Sequence, residues 1–124
     1  MSHGTHPEID RLLDDPAFAR VAAESVQALA TPSRLRILAR LAGGPAPVNE
    51  IAQTVGMEGS AVSHQLRLLR HLGLVVGQRE GRQVVYELHD DHVAELLTQV
   101  VGHVDHVRLG LAGRAAAGVL PAAA

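Results

Sequence analysis

Asp90, His92, His103 and His106 lie within the stretch DDHVAELLTQVVGHVDH, residues 90–106. All four side chains can hold a metal ion, and carboxylate oxygen and imidazole nitrogen are donors that zinc, nickel and cobalt accept. The stretch reads as one helix. Asp90 and His92 can chelate an ion at its start, and His103 and His106, at i and i+3, can chelate one towards its end. The two pairs cannot reach each other. At about 1.5 Å of rise per residue, His92 and His103 stand about 16 Å apart, whereas a metal–nitrogen bond is about 2 Å. A second copy of the helix, laid antiparallel about a two-fold axis, sets the start of each against the end of the other. Each of the two resulting sites then has three nitrogens and one carboxylate oxygen, a closed tetrahedral set that suits zinc. Leu96, Gln99 and Val100 share the stripe, and the apolar positions between the pairs form the seam. The residues alone leave a second reading open, with Asp90 as a helix cap and His106 as a polar surface residue.

Composition narrows the chemistry. The 124-residue chain has no cysteine, which removes disulfides, thiol catalysis and thiolate metal sites. A closed set of four protein ligands leaves no position for a substrate, so an enzyme is not expected. Net charge is −2, yet Ser60–Arg82 holds Arg67, Arg70, Arg79 and Arg82 against the single acid Glu80. Phosphates respond to such a local field, so a basic face on a mildly acidic protein is compatible with DNA binding. No run of eighteen apolar residues is present, so no membrane span is expected. MSHGTHPEID lacks a basic start followed by an apolar stretch, and the chain is expected to be cytoplasmic.

The elements that must position these residues follow from periodicity and punctuation. Residues 1–14 read as a flexible arm, 15–110 as the folded domain and 111–124 as a low-complexity, frayed tail. Asp15-Pro16 and Thr31-Pro32 are helix starts, a cap residue followed by proline at the first helical position. VNEIAQTVG is a short helix closed by Gly56. SAVSHQLRLLRHLG is a helix capped by Ser60 and stopped by Gly73, with Val62, Leu66 and Leu69 as its buried stripe. LVVGQREGRQVVYEL changes to the period of strands and turns at Glu80-Gly81, a hairpin. Asp90 or Asp91 caps the last helix, which runs to about Gly110.

The expected fold is therefore mainly α: four helices, a two-stranded hairpin and a last helix, a winged helix-turn-helix. Its first and last helices are expected to form a homodimer interface. The second helix of the helix-turn-helix would present Ser60, Ser63, His64, Gln65, Arg67 and Arg70 to the major groove of double-stranded operator DNA. Arg79 and Arg82 on the hairpin would contact phosphate or the neighbouring minor groove.

ALATPSRLRIL, GMEGSAVSHQLRLLRHLGLV and REGRQVVYEL resemble the ArsR/SmtB family of bacterial metal-responsive repressors, over about residues 20–110. D-x-H followed by H-x-x-H is similar to the inter-subunit site on the last helix of that family's zinc and nickel/cobalt sensors. The resemblance implies a homodimer, the ligand set Asp90, His92, His103 and His106, release of DNA on metal binding, and Ni(II) or Co(II) as the metal, with Zn(II) as the alternative. It departs in two places: nickel and cobalt sensors carry a further His two residues beyond H-x-x-H, where this chain has Arg108, and their tail histidine is also missing. Extra ligands would then come from the arm, from the Ser2 amine, His3 and His6, which the residues alone equally allow to be idle. Two readings stay open beside these: a winged-helix regulator that does not respond to metal, and regulation that involves a protein co-regulator.

Overall fold

The computed structural model describes residues 6–116. Helices α1 (Pro7–Asp14), α2 (Pro16–Gln27) and α3 (Pro32–Ala42) are followed by a short strand β1 (Ala46–Pro47). Helices α4 (Val48–Val55) and α5 (Gly59–His71), the hairpin β2 (Val75–Glu80) and β3 (Gln83–Leu88), and the long helix α6 (Asp91–Ala116) complete the chain. The three strands form an antiparallel sheet in the order β1-β3-β2.

Local chemistry accounts for most boundaries. The Asp15 carboxylate accepts from the Phe18 N–H at 3.1 Å and caps α2, and the Thr31 hydroxyl accepts from the Arg34 N–H at 3.2 Å and caps α3. Each proline follows its cap, where its missing N–H costs nothing. Gly56 and Gly73 stand at φ 67° and 76°, so α4 and α5 stop at left-handed residues that a Cβ would disfavour. In the hairpin, Val75 pairs with Leu88 and Glu80 with Gln83, which leaves Gly81 and Arg82 as the tip.

Three boundaries differ from the sequence expectation. The arm expected over 1–14 is helical over Pro7–Asp14. Pro7 opens this helix, and Ile9, Leu12 and Leu13 repeat at helical spacing. The Arg11 guanidinium lies 3.7 Å from the centre of the Phe18 ring and ties α1 to α2. Ser60 is not the cap of α5: the backbone is still extended at Glu58 (ψ 140°), the helix starts at Gly59, and Ser60 is its second residue. The last helix passes Gly110 and continues to Ala116. In addition, β1 was not foreseen. It is two residues long, includes a proline, and exists only through its pairing with Val85 and Tyr86.

The core gathers one face from each element of the helix-turn-helix. Ile37 and Leu38 of α3, Ile51 of α4, and Val62, Leu66 and Leu69 of α5 are fully buried, with Val75 of β2 beside them. Among the described residues no polar or charged residue is buried. Three arginines of α3 brace the rim instead: Arg36 donates to the Val55 carbonyl at 2.8 Å, Arg40 to the Gly44 carbonyl at 3.2 Å, and Arg34 to Gln65 at 2.8 Å. The first of these satisfies a carbonyl at the C-terminus of α4, which has no partner within its own helix.

Burial sets the expected rank of substitutions. Leu66→Ala removes a fully enclosed side chain and should cost about 2–5 kcal/mol, while Thr31→Ala removes one cap and should cost about 1 kcal/mol. Urea unfolding at a fixed protein concentration measures both, and a Leu66→Ala cost no larger than that of Thr31→Ala would contradict this packing.

Candidate functional site

The outer surface of α5 is largely polar because Val62, Leu66 and Leu69 turn into the core, although Leu68 stays 38% exposed. Ser60, His64, Arg67 and His71 follow one another at spacings of four, three and four residues and are all exposed. Arg70, in the last turn, is exposed as well. Ser63 is half-buried, and its hydroxyl lies 3.5 Å from Arg67 Nη2. Gln65 is placed differently. It sits at the edge of the buried stripe, and its Oε1 accepts from Arg34 Nε at 2.8 Å.

The hairpin brings a second set of donors to the same side. Arg82, at the tip, shares a concavity of about 430 Å³ with Asn49, Gly59, Ser63 and Tyr86. Arg79 is exposed on β2, across from Val84. A positively charged tip beside the start of a polar helix can engage a phosphate backbone and a groove together. Asn49 belongs to this surface and was not singled out from the sequence, where nothing but its place at the start of α4 marks it.

The four candidate metal ligands divide as their spacing requires. Asp90 precedes α6 and accepts from the His92 backbone N–H at 3.0 Å, so it does cap the helix. The same carboxylate meets the imidazoles on both sides, His92 Nδ1 at 3.2 Å through one oxygen and His89 Nδ1 at 3.2 Å through the other. His89 was not foreseen, although its place next to Asp90 is a readable signal. His103 and His106 are exposed on the distal half of α6. Among the described residues of one chain, no three His, Asp or Glu gather into a group that could hold a metal. The donors fit a metal by type, with two candidate ligands at each end of the stretch. His6 is exposed ahead of α1, and Ser2 and His3 lie outside the described residues.

The half-site at Asp90 is electrostatically coupled. The hydrogen bond that His92 donates to Asp90, reinforced by the charges of Asp90 and Glu95, holds the His92 imidazolium above the usual histidine range. The hydrogen bonds from His92 and His89 hold the Asp90 carboxyl below the usual carboxylate range. Both groups face solvent, so the effect on folding is small. Its sign is definite: a raised histidine stabilises the fold below the unfolded-state value of about 6.5 and loses that contribution as pH rises through the folded value.

The distal part of α6 stands apart from the domain. Val93 is 7% exposed, whereas Val100, Val101, Val104 and Val107 are 41–61% exposed. Ile9, Leu12, Val21 and Val26 of α1 and α2 are likewise uncovered. A single chain thus presents two apolar faces of the kind that mark an interface. Among the described residues, no helix is long and apolar enough to cross a membrane.

Comparisons with known proteins agree with this geometry. The helix-turn-helix domain family matches residues 29–78. The transcriptional regulator NmtR of Mycobacterium tuberculosis is 59% identical over 102 residues, covering 82% of this chain and 84% of its own. The solution structure of apo-NmtR superposes with a TM-score of 0.65 at 58% identity, covering 74% of this chain and 77% of that one. A homodimeric winged helix-turn-helix DNA-binding domain from Mycobacterium bovis superposes with a TM-score of 0.68 at 33% identity, covering 85% and 91%.

The coupling within the half-site is open to measurement. In an NMR titration without metal, Asp90→Asn should move the His92 midpoint down towards the ordinary histidine value, because it removes the acceptor charge and leaves the backbone cap. An unchanged midpoint would show that Asp90 and His92 are not paired.

Proposed function

This chain belongs to the ArsR/SmtB family of winged helix-turn-helix transcriptional regulators, and on that premise we propose that it is a repressor whose hold on operator DNA is weakened by Ni(II) or Co(II). One observation carries the reading. The two candidate chelating pairs lie at opposite ends of the stretch 90–106, and between them Leu96, Val100 and Val101 stay exposed among the described residues. An antiparallel partner helix would meet both needs at once. It would cover Val100 and its neighbours, and it would bring Asp90 and His92 of each copy to His103 and His106 of the other.

Regulation then follows from linkage. In the DNA-binding arrangement, the two α5 helices of the dimer would meet successive major grooves about one DNA turn apart. An ion shared across the paired α6 helices favours a different arrangement of the subunits. Whatever factor the metal costs in DNA affinity, DNA must cost in metal affinity, typically about 1–3 kcal/mol in allosteric systems. Protons compete for the same nitrogens, so metal affinity falls as pH drops. The raised position of His92 extends that competition to higher pH than an isolated histidine would.

Zn(II) is the second reading, and Arg108 favours it. With arginine where the nickel and cobalt pattern has a further histidine, the four α6 ligands form a closed tetrahedral set unless the N-terminal residues add to it.

Two measurements test the proposal. His103→Ala should lower metal affinity in equilibrium dialysis by tenfold or more and abolish metal-dependent release of DNA, while DNA binding without metal stays intact; retention of both metal responses would sink the inter-subunit site. The Co(II) absorption spectrum, recorded with and without residues 1–6, separates the metals. Weak octahedral bands that become strong and tetrahedral on truncation support Ni(II)/Co(II) sensing with ligands from Ser2, His3 or His6. Strong tetrahedral bands in both forms support Zn(II).

A further inference from the structure

The side chain of Arg34 touches two elements that the regulatory reading keeps separate. Its Nε donates to Gln65 Oε1 of α5 at 2.8 Å, and its Nη1 donates to the Ala28 carbonyl, at the C-terminal end of α2, at 3.3 Å. Its own backbone N–H is held by the Thr31 hydroxyl at 3.2 Å. Ala28 is 4% exposed, and all of these bonds involving Arg34 are partly buried.

We propose that Arg34 is a positioning residue, a strut that sets the pose of the DNA-reading helix α5 from the end of α2 by way of Gln65. Three features carry this. The guanidinium has donors only, so its bond decides which end of the Gln65 amide faces inward: the oxygen is turned towards Arg34, which occupies one of its two lone pairs. The place of Gln65 on α5 agrees. At about 100° per residue it lies about 60° from the buried Val62 and about 100° from the exposed His64, on the flank turned towards α3. Gln65 is therefore a handle on the helix more than a reader of DNA. Finally, the other end of the strut is a carbonyl at the C-terminus of α2, where a helix lacks internal partners and its dipole attracts a cation. Since α2 carries the uncovered Val21 and Val26, a shift of α2 against a second subunit would reach α5 through two charge-assisted bonds on one rigid, planar group. Arg36 and Arg40 also brace the helix-turn-helix, but their hydrogen bonds run from α3 to the C-terminus of α4 and to the loop after α3.

The inference rests on α5 being the DNA-reading helix, and the test keeps the two ideas apart. The probe is a duplex selected by the wild-type full chain from a random library, with a scrambled duplex for non-specific binding. Gln65→Ala and Arg34→Ala should each lower the specific affinity by about tenfold, the scale of one hydrogen bond to a charged group, and leave the non-specific affinity unchanged. The double variant should lose no more than either single one. Gln65→Glu is the deciding case, since its carboxylate still accepts from Arg34. It should retain wild-type specific affinity within about threefold. A base-reading Gln65 would instead make Gln65→Glu at least as damaging as Gln65→Ala, because a carboxylate there faces DNA, and that result overturns the strut. Equal loss of specific and non-specific binding would mark a mere loss of folded protein and also overturns it. If the wild type selects no sequence at all, the reading of α5 fails, and the strut fails with it.

Discussion

The domain covers the last helix only as far as Leu97, which packs partly buried against the core. Beyond that residue α6 continues to Ala116, and its large apolar side chains from Val100 to Leu111 are exposed among the described residues. At about 1.5 Å per residue, a helix of 26 residues is far longer than the face that α3 and β3 offer it. Apolar surface left in water at that length calls for a partner. The proposed metal site depends on the same overhang. His103 and His106 lie on the uncovered part, while Asp90 and His92 stay at the end anchored by the domain. The property that leaves the helix unsatisfied also keeps its two candidate ligand pairs apart.

The helix-turn-helix is built on the opposite plan. Its core is wholly apolar, and its charged residues are kept at the rim, where arginines of α3 reach across to carbonyls and one amide of the neighbouring elements. Burying those guanidiniums would carry a desolvation cost, and at the rim they keep their bonds and much of their hydration. Arginine therefore has two uses within one small domain. On α3 it fastens one element to another, and on α5 and the wing it stays exposed and available to phosphate. Net charge conceals this division, because an arginine occupied by a carbonyl counts the same as one facing solvent.

Most of the architecture was legible in the chain. Asp15-Pro16, Thr31-Pro32, Gly56 and Gly73 are local signals, and each acts where it stands because caps and left-handed stops involve only neighbouring residues. The stripe Val62, Leu66 and Leu69 could be read because helical periodicity is also local. The missed features have non-local causes. The strand at Ala46–Pro47 exists through β3, some forty residues away. Helix α1 has a readable apolar spacing, but its hold on α2 depends on Arg11 meeting the Phe18 ring. Ser60 has the residue type of a cap, yet the chain enters its helix at Gly59, two residues after Met57, which packs against the core.

The sequence by itself determined the order of the elements, the absence of thiol chemistry, the basic stretch and the four α6 residues able to hold a metal. All of these follow from residue type and spacing along a helix or strand of known geometry. Only the tertiary structure decided which polar side chains are free to act. It turned Gln65 inward to Arg34, set Arg82 beside Ser63 and Asn49, and added His89 to the carboxylate of Asp90. Those outcomes depend on which elements pack against which, and a hydrogen bond between residues 31 positions apart leaves no trace in local periodicity.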